Sequence, residues 1–169
     1  MSAPLRLAFV GCGEIAQWMA LFCRLNRRIR LVACCDSRLP VAEACAARFR
    51  FPRAYADYGT LLEGERPDAV YLAVPHDLHF EMVAAAIEAG SHVLVEKPVA
   101  RTLAEGREIV KRARAAGVRV GVNYQYRYDT GCYALSQAAR HGELGELYYG
   151  RCNVPWSREA AYFAQGPWR

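Results

Sequence analysis

The sequence predicts an α/β protein: a doubly wound parallel sheet followed by the start of a second α/β domain. Three observations carry this. Apolar runs of strand length alternate with helical periodicity almost from end to end. The strand runs are apolar on consecutive positions, as in "AVYLAV" and "HVLVE", which is expected where helices cover both faces of a sheet and the strands meet no water. Gly90 and Gly117 stand where helices usually stop.

In chain order, the first strand is Leu5–Val10, interrupted at Gly11-Cys12-Gly13 by a turn from which helical spacing restarts over about Glu14–Asn26. A second strand follows at Leu31–Asp36, a helix at Pro40–Phe49 and a short, weak strand near Arg53–Tyr55. Ala69–Val74 and His92–Glu96 are strands that bracket a helix at Leu78–Ala89, and Leu103–Ala116 is the helix before a last strand, Arg119–Tyr124. After Tyr124 the texture changes. The aromatic string "NYQYRYD" leads into a helix at about Cys132–His141, then "GELGE" turns into the apolar "LYYGRCNV", expected to form an exposed sheet edge. The expected division is a first domain over 1–124 and the incomplete beginning of a second over 125–169.

Composition bounds the function. A chain of 169 residues, 53% of them hydrophobic, buries one core and is too short for two full domains. No window reaches the eighteen or so apolar residues of a membrane span, and the N-terminus has no charged-then-apolar leader with a cleavage site, so a soluble, cytoplasmic protein is expected. The seven cysteines form no C-x-x-C pair and their odd number suits neither a disulfide framework nor a zinc site, so they read as ordinary buried thiols and no metal is expected. A net charge of +5 is dispersed from Arg6 to Arg169, which argues against a nucleic-acid surface. Tyr124, Tyr126 and Tyr128 alternate with polar residues, a pattern more typical of a packed junction than of a base-stacking platform.

The stretch Gly11-Cys12-Gly13-Glu14-Ile15-Ala16 has the form G-x-G-x-x-A. The first glycine suits a tight turn, the second lets a pyrophosphate approach the backbone, and the small third residue allows close helix–strand packing. The helix N-terminus adds N–H groups and the positive end of its dipole. A plain strand-to-helix turn would also account for the pattern, but Asp36, at the end of the second strand and twenty residues after Ala16, stands where a carboxylate can accept from both ribose hydroxyls. That acid would repel a 2′-phosphate, favouring NAD, whereas Arg38 nearby leaves NADP open. "LAVPHDLHF" follows the next strand; His79 reads equally as a packing histidine or a crevice residue, and His76 is the more exposed of the two. Glu96-Lys97-Pro98 ends the fifth strand at the same sheet edge, where a lysine can hydrogen-bond a substrate hydroxyl, although a solvated Glu–Lys pair is the simpler reading of the tripeptide alone.

Taken in order, "VGCGEIA", the aspartate after the second strand, "AVPHDLH", "GSHVLVEKP" and "VGVNYQYRYD" resemble the glucose-fructose oxidoreductase, inositol dehydrogenase and rhizopine-catabolism family, over Leu5 to at least Val154. The resemblance implies a Rossmann domain joined to a second α/β domain with a large open sheet, and oxidation or reduction of a hydroxyl-bearing carbon on a sugar, cyclitol or related polyol. It places Gly11, Gly13, Glu14 and Ile15 at the pyrophosphate, and Asp36, Ser37 and Arg38 at the adenosine ribose. Val74, Pro75, His76 and His79 would flank the middle of the cofactor, Glu96 and Lys97 its nicotinamide side, and Asn123 and Gln125 the junction with substrate. Lys97 is the residue that relatives use beside the reacting carbon, and its bond to Pro98 is commonly cis in them. A homo-oligomer is implied for the full-length protein. Two departures stand out. Many relatives have asparagine at the position of His76, and the family's further aspartate and histidine lie beyond Arg169; His141, at a helix end, does not replace them. Other chemistries within the resemblance are NAD-dependent glycoside cleavage or dehydration, and nucleotide sensing without turnover.

Overall fold

Six strands pair in the order β3-β2-β1-β4-β5-β6, every pair parallel, in a computed structural model that describes residues 3–164. The strands are β1 (Leu5–Val10), β2 (Ile29–Cys35), β3 (Ala54–Tyr55), β4 (Ala69–Leu72), β5 (His92–Val95) and β6 (Val120–Val122). Helices α1 (Glu14–Leu25), α2 (Leu39–Phe49), α3 (Tyr58–Glu65), α4 (His79–Glu88) and α5 (Leu103–Ala116) connect them. The strand order reverses at β1, since β2 lies on one side of it and β4 on the other. In such a sheet, ligands bind outside the carboxyl ends of the strands at that reversal.

Strand alternation makes two cores out of one sequence. On one face Ala8 and Val10 join Val70, Leu72, Val93 and Val95 against α3, α4 and α5, where Leu61, Val83, Ile87 and Ile109 are buried. On the other, Leu7, Phe9, Cys34, Ala69 and Tyr71 meet Ala16 and Ala20 of α1 and Ala42, Cys45 and Phe49 of α2. Both faces of β4 are therefore covered, which is why "AVYL" is apolar at every position. Each large side chain withdrawn fully from water contributes roughly 1.5–3 kcal/mol. The buried stripe of α1 is small, Ala16, Ala20 and Cys23, so the helix lies close against the sheet.

Local chemistry sets the helix ends. Thr102 and Glu105 form a reciprocal capping box at the start of α5, with Glu105 N–H donating to Thr102 Oγ1 (3.2 Å) and Thr102 N–H to Glu105 Oε2 (3.1 Å), and Gly117 closes the helix at φ +69°. At α3 the Asp57 carboxylate accepts from the Thr60 N–H and hydroxyl, both at 2.7 Å, and these bonds hold its pKa below the usual carboxylate range.

Several boundaries differ from expectation. Helix α3 was not expected: it is 8 residues long, contains Gly59 and Gly64, and offers only Tyr58, Leu61 and Leu62 as buried apolar residues beside buried Glu65. The parallel crossover from β3 to β4 nonetheless requires a connection of this kind. Strand β2 begins earlier, at Ile29, because pairing of Arg6 with Arg30 extends it through a polar position. Strands β4 and β6 are shorter than their apolar runs, ending at Leu72 and Val122.

The chain divides into two compact units, Met1–Asn123 and Tyr124–Arg169. In the second, a 3-10 turn at Gln125–Tyr128 precedes α6 (Thr130–Arg140), whose Asp129 cap accepts from Cys132 N–H at 3.0 Å, and a short α7 (Ala160–Phe163) follows. The expected sheet edge at "ELYYGRCNV" is not formed: these residues are irregular, and Tyr148 is 95% exposed. A strand needs a neighbour to satisfy its backbone groups, and no strand of this unit is present among the described residues. The cysteines are also not uniformly buried, since Cys132 and Cys152 are exposed. No helix among the described residues is long and apolar enough to cross a membrane.

Candidate functional site

At the β1–α1 turn the two glycines of the fingerprint face opposite constraints. Gly11 has φ +84°, and a Cβ there would collide with the carbonyl oxygen of Ala73. Gly13 caps α1 with ordinary extended backbone, and a Cβ on it would meet no protein atom within 4 Å. The first glycine is thus demanded by the fold, whereas no protein atom demands the second. No side chain caps the first turn of α1. Its N–H groups and dipole are available to an anion. Ala16 is buried against the sheet, while Glu14 and Ile15 are exposed beside the turn.

Asp36 lies one residue beyond β2 and is tied to this turn. Its Oδ2 accepts from the Cys12 N–H and its Oδ1 from the Arg38 N–H, each at 3.1 Å. A carboxylate has about four acceptor positions, so about two are left for hydroxyls. Ser37 and Arg38 are exposed next to it; the Arg38 Nε is 3.7 Å from Asp36 Oδ1 with its side chain mostly in solvent, which makes the pair a weak one.

Beyond β4 the chain leaves the sheet through Ala73 and half-buried Val74, Pro75 and His76. Burial, followed by the positive influence of His79 and Lys97, lowers the pKa of His76. His79 takes the packing alternative rather than the place beside the cofactor that the resemblance implies. Its side chain has no exposed surface, and its ring nitrogens face two carbonyl oxygens, Nδ1 that of Pro98 at 2.6 Å and Nε2 that of Val74 at 3.0 Å. It therefore does not wall the crevice. A neutral imidazole donates from one nitrogen only: with the proton on Nδ1, the nitrogen with the shorter contact, it bonds Pro98 O and latches the start of α4 to the loop after β5. Replacing it by leucine should remove that part-buried bond, at a cost of about 0.5–1.5 kcal/mol and a melting temperature lower by roughly 3 °C. An unchanged thermal melt of His79→Leu would remove the latch.

Glu96 follows β5 and is held at both sides: its Oε1 accepts from the Tyr71 hydroxyl and from Asn123 Nδ2, each at 2.6 Å. Tyr71 is fully buried and its hydroxyl pKa is raised, by burial first and then by Glu96. Lys97 is exposed at the same edge and its peptide bond to Pro98 is cis. Gly11, Asp36, Val74, Glu96, Lys97 and Asn123 thus share the carboxyl edge of the sheet, while Gln125 belongs to the second unit, in its 3-10 turn. Tyr71 was missed. Its place in an all-apolar strand reads as core, and only the facing of its hydroxyl toward the strand end reveals a second role.

A parallel sheet in this order with a glycine turn at its reversal point defines a dinucleotide-binding class of α/β domain. A family model described as "Oxidoreductase family, NAD-binding Rossmann fold" matches residues 5–124, and the chain belongs to that family. It is 35% identical over 162 residues to D-glucoside 3-dehydrogenase of Escherichia coli, covering 91% of this chain and 46% of that protein. Among solved structures it resembles the WlbA dehydrogenase of Bordetella pertussis in complex with NADH and UDP-GlcNAcA, with a TM-score of 0.92 and 30% identity over 98% of this chain and 51% of that one. The myo-inositol 2-dehydrogenase of Lactobacillus plantarum superimposes with a TM-score of 0.78 at 25% identity, over 85% of this chain and 43% of that one. The chain spans about half the length of these relatives.

Proposed function

We propose that this chain is the cofactor-binding portion of an oxidoreductase acting on a hydroxyl-bearing carbon of a sugar, cyclitol or related polyol, with NAD as its preferred dinucleotide. The observation that carries the reading is Asp36, fixed to the glycine turn through the Cys12 N–H with acceptor positions still open beside the bare Gly13. In this reading the turn and the start of α1 receive the pyrophosphate, and Asp36 accepts from the ribose hydroxyls while opposing a 2′-phosphate. The bound dinucleotide supplies the hydride acceptor or donor at its nicotinamide ring. Lys97 donates a hydrogen bond to the substrate oxygen and eases departure of its proton, and Glu96, steadied by Tyr71 and Asn123, fixes the loop from which Lys97 projects. The names of the relatives, a glucoside dehydrogenase and an inositol dehydrogenase among them, support the substrate class.

The test is fluorescence titration of NADH and NADPH into the protein and into two variants. Asp36→Ala should weaken NADH binding about 10-fold or more, as loss of hydrogen bonds to a charged group implies, and raise the NADPH to NADH affinity ratio. Asp36→Asn keeps an acceptor for the Cys12 N–H and should fall between the two. An unchanged ratio in Asp36→Ala would take the carboxylate out of the site.

A further inference from the structure

Beneath the glycine turn, three thiols converge from three different elements. Cys12 lies in the turn between β1 and α1, Cys34 on β2 and Cys45 on α2, and their sulfur atoms are all within 4.8 Å of one another. All three are buried and free of disulfides. We infer that Cys12, Cys34 and Cys45 form a binding site for a soft, thiophilic metal ion of low coordination number, monovalent copper being the ion whose chemistry fits it.

The geometry is close to what such an ion needs. With metal–sulfur bonds of about 2.3 Å, a trigonal ion holds its three sulfurs about 4 Å apart, so the cluster has less than about 1 Å to close. The donor set selects the ion. Thiolates without oxygen or imidazole suit soft ions, and no histidine or carboxylate joins this group among the described residues. Structural zinc takes four ligands, and a fourth is not present in the group. The three cysteines belong to the buried core cluster that also holds Phe9, Ala16, Ala20, Ala42 and Phe49. The Cys12 and Cys34 thiols donate to Cys35 O (3.6 Å) and Ala42 O (3.3 Å), bonds that are given up if those thiols ionise, and each thiol that ionises on binding releases one proton to solvent. The competing account is that three small apolar side chains simply pack together.

The site is independent of the dinucleotide reading, but it adjoins the same turn, because the Cys12 main chain is what Asp36 holds and Cys34 stands two residues before Asp36. An ion here would tie the turn to α2 through covalent-strength bonds.

The experiment uses the protein carrying Cys132→Ser and Cys152→Ser, which removes the exposed thiols and leaves the cluster intact. Monovalent copper is titrated anaerobically against a chromophoric copper(I) chelator, with thiolate-to-copper ultraviolet absorption as the direct signal. One ion per chain should be retained after desalting, and X-ray absorption at the copper edge should show three sulfur neighbours at about 2.3 Å. Cys45→Ala in that background, its fold checked by circular dichroism, should lose at least 10-fold in affinity. If that variant fails to fold, the absorption spectrum of the intact cluster still decides. No retained copper, equal retention in folded Cys45→Ala, or an ion surrounded by four donors or by nitrogen and oxygen would overturn the site and leave three packing thiols.

Discussion

Gly13→Val should abolish dinucleotide binding while costing the fold about 1 kcal/mol or less. The protein leaves the space in front of Gly13 empty, so the valine meets no protein atom near its Cβ, and the remaining cost is the exchange of glycine for a poorer helix cap. A pyrophosphate seated on the start of α1 would occupy that same space, and the branched side chain would hold it away from the N–H groups. Fluorescence titration with NADH, beside a thermal melt of the same sample, separates the two effects. Undiminished binding with an intact fold would mean that the ligand does not approach this turn.

Gly11→Ala, two residues earlier in the same motif, should do the reverse and unsettle the fold itself. Alanine at φ +84° is strained by about 1–3 kcal/mol, and its methyl group must also displace the Ala73 carbonyl that carries the chain out of β4. For a domain of this size the strain alone lowers the melting temperature by roughly 5 °C, with the collision adding to it. A melt within a degree of the parent would show that the turn relaxes freely. The two substitutions together distinguish a glycine kept for the chain from one kept for a ligand.

The centre of the sheet was legible because its strands are buried on both faces. "AVYLAV" is apolar throughout and "HVLVE" at its three central positions, and the glycine turn between β1 and α1 fixes where the first crossover begins. Helix α3 was not legible, since its two glycines and short apolar face resemble a loop; Asp57 three residues before Thr60 was the available signal. At the site, Asp36, Glu96 and Lys97 could be named because they stand within two residues of a strand end, and Asn123 only through the family resemblance. The tasks of His79 and Tyr71 could not, because they depend on where a ring nitrogen and a hydroxyl end up in three dimensions. The same holds for the thiols. Positions 12, 34 and 45 have no motif spacing, and only the packing of a turn, a strand and a helix brings them together.

The loops that leave the carboxyl edge are stitched to the strands by main-chain bonds: Gly11 N–H to Cys35 O (2.8 Å), Ala73 N–H to Val10 O (2.8 Å), Glu96 N–H to Leu72 O (2.9 Å) and Asn123 N–H to Val95 O (2.8 Å). None of these bonds uses a side chain. Exposed rim side chains that make no such tie, Ser37 and Lys97 among them, can therefore be exchanged by mutation while the main-chain frame that presents them stays the same. Robustness of the edge is, for this architecture, a source of evolutionary freedom.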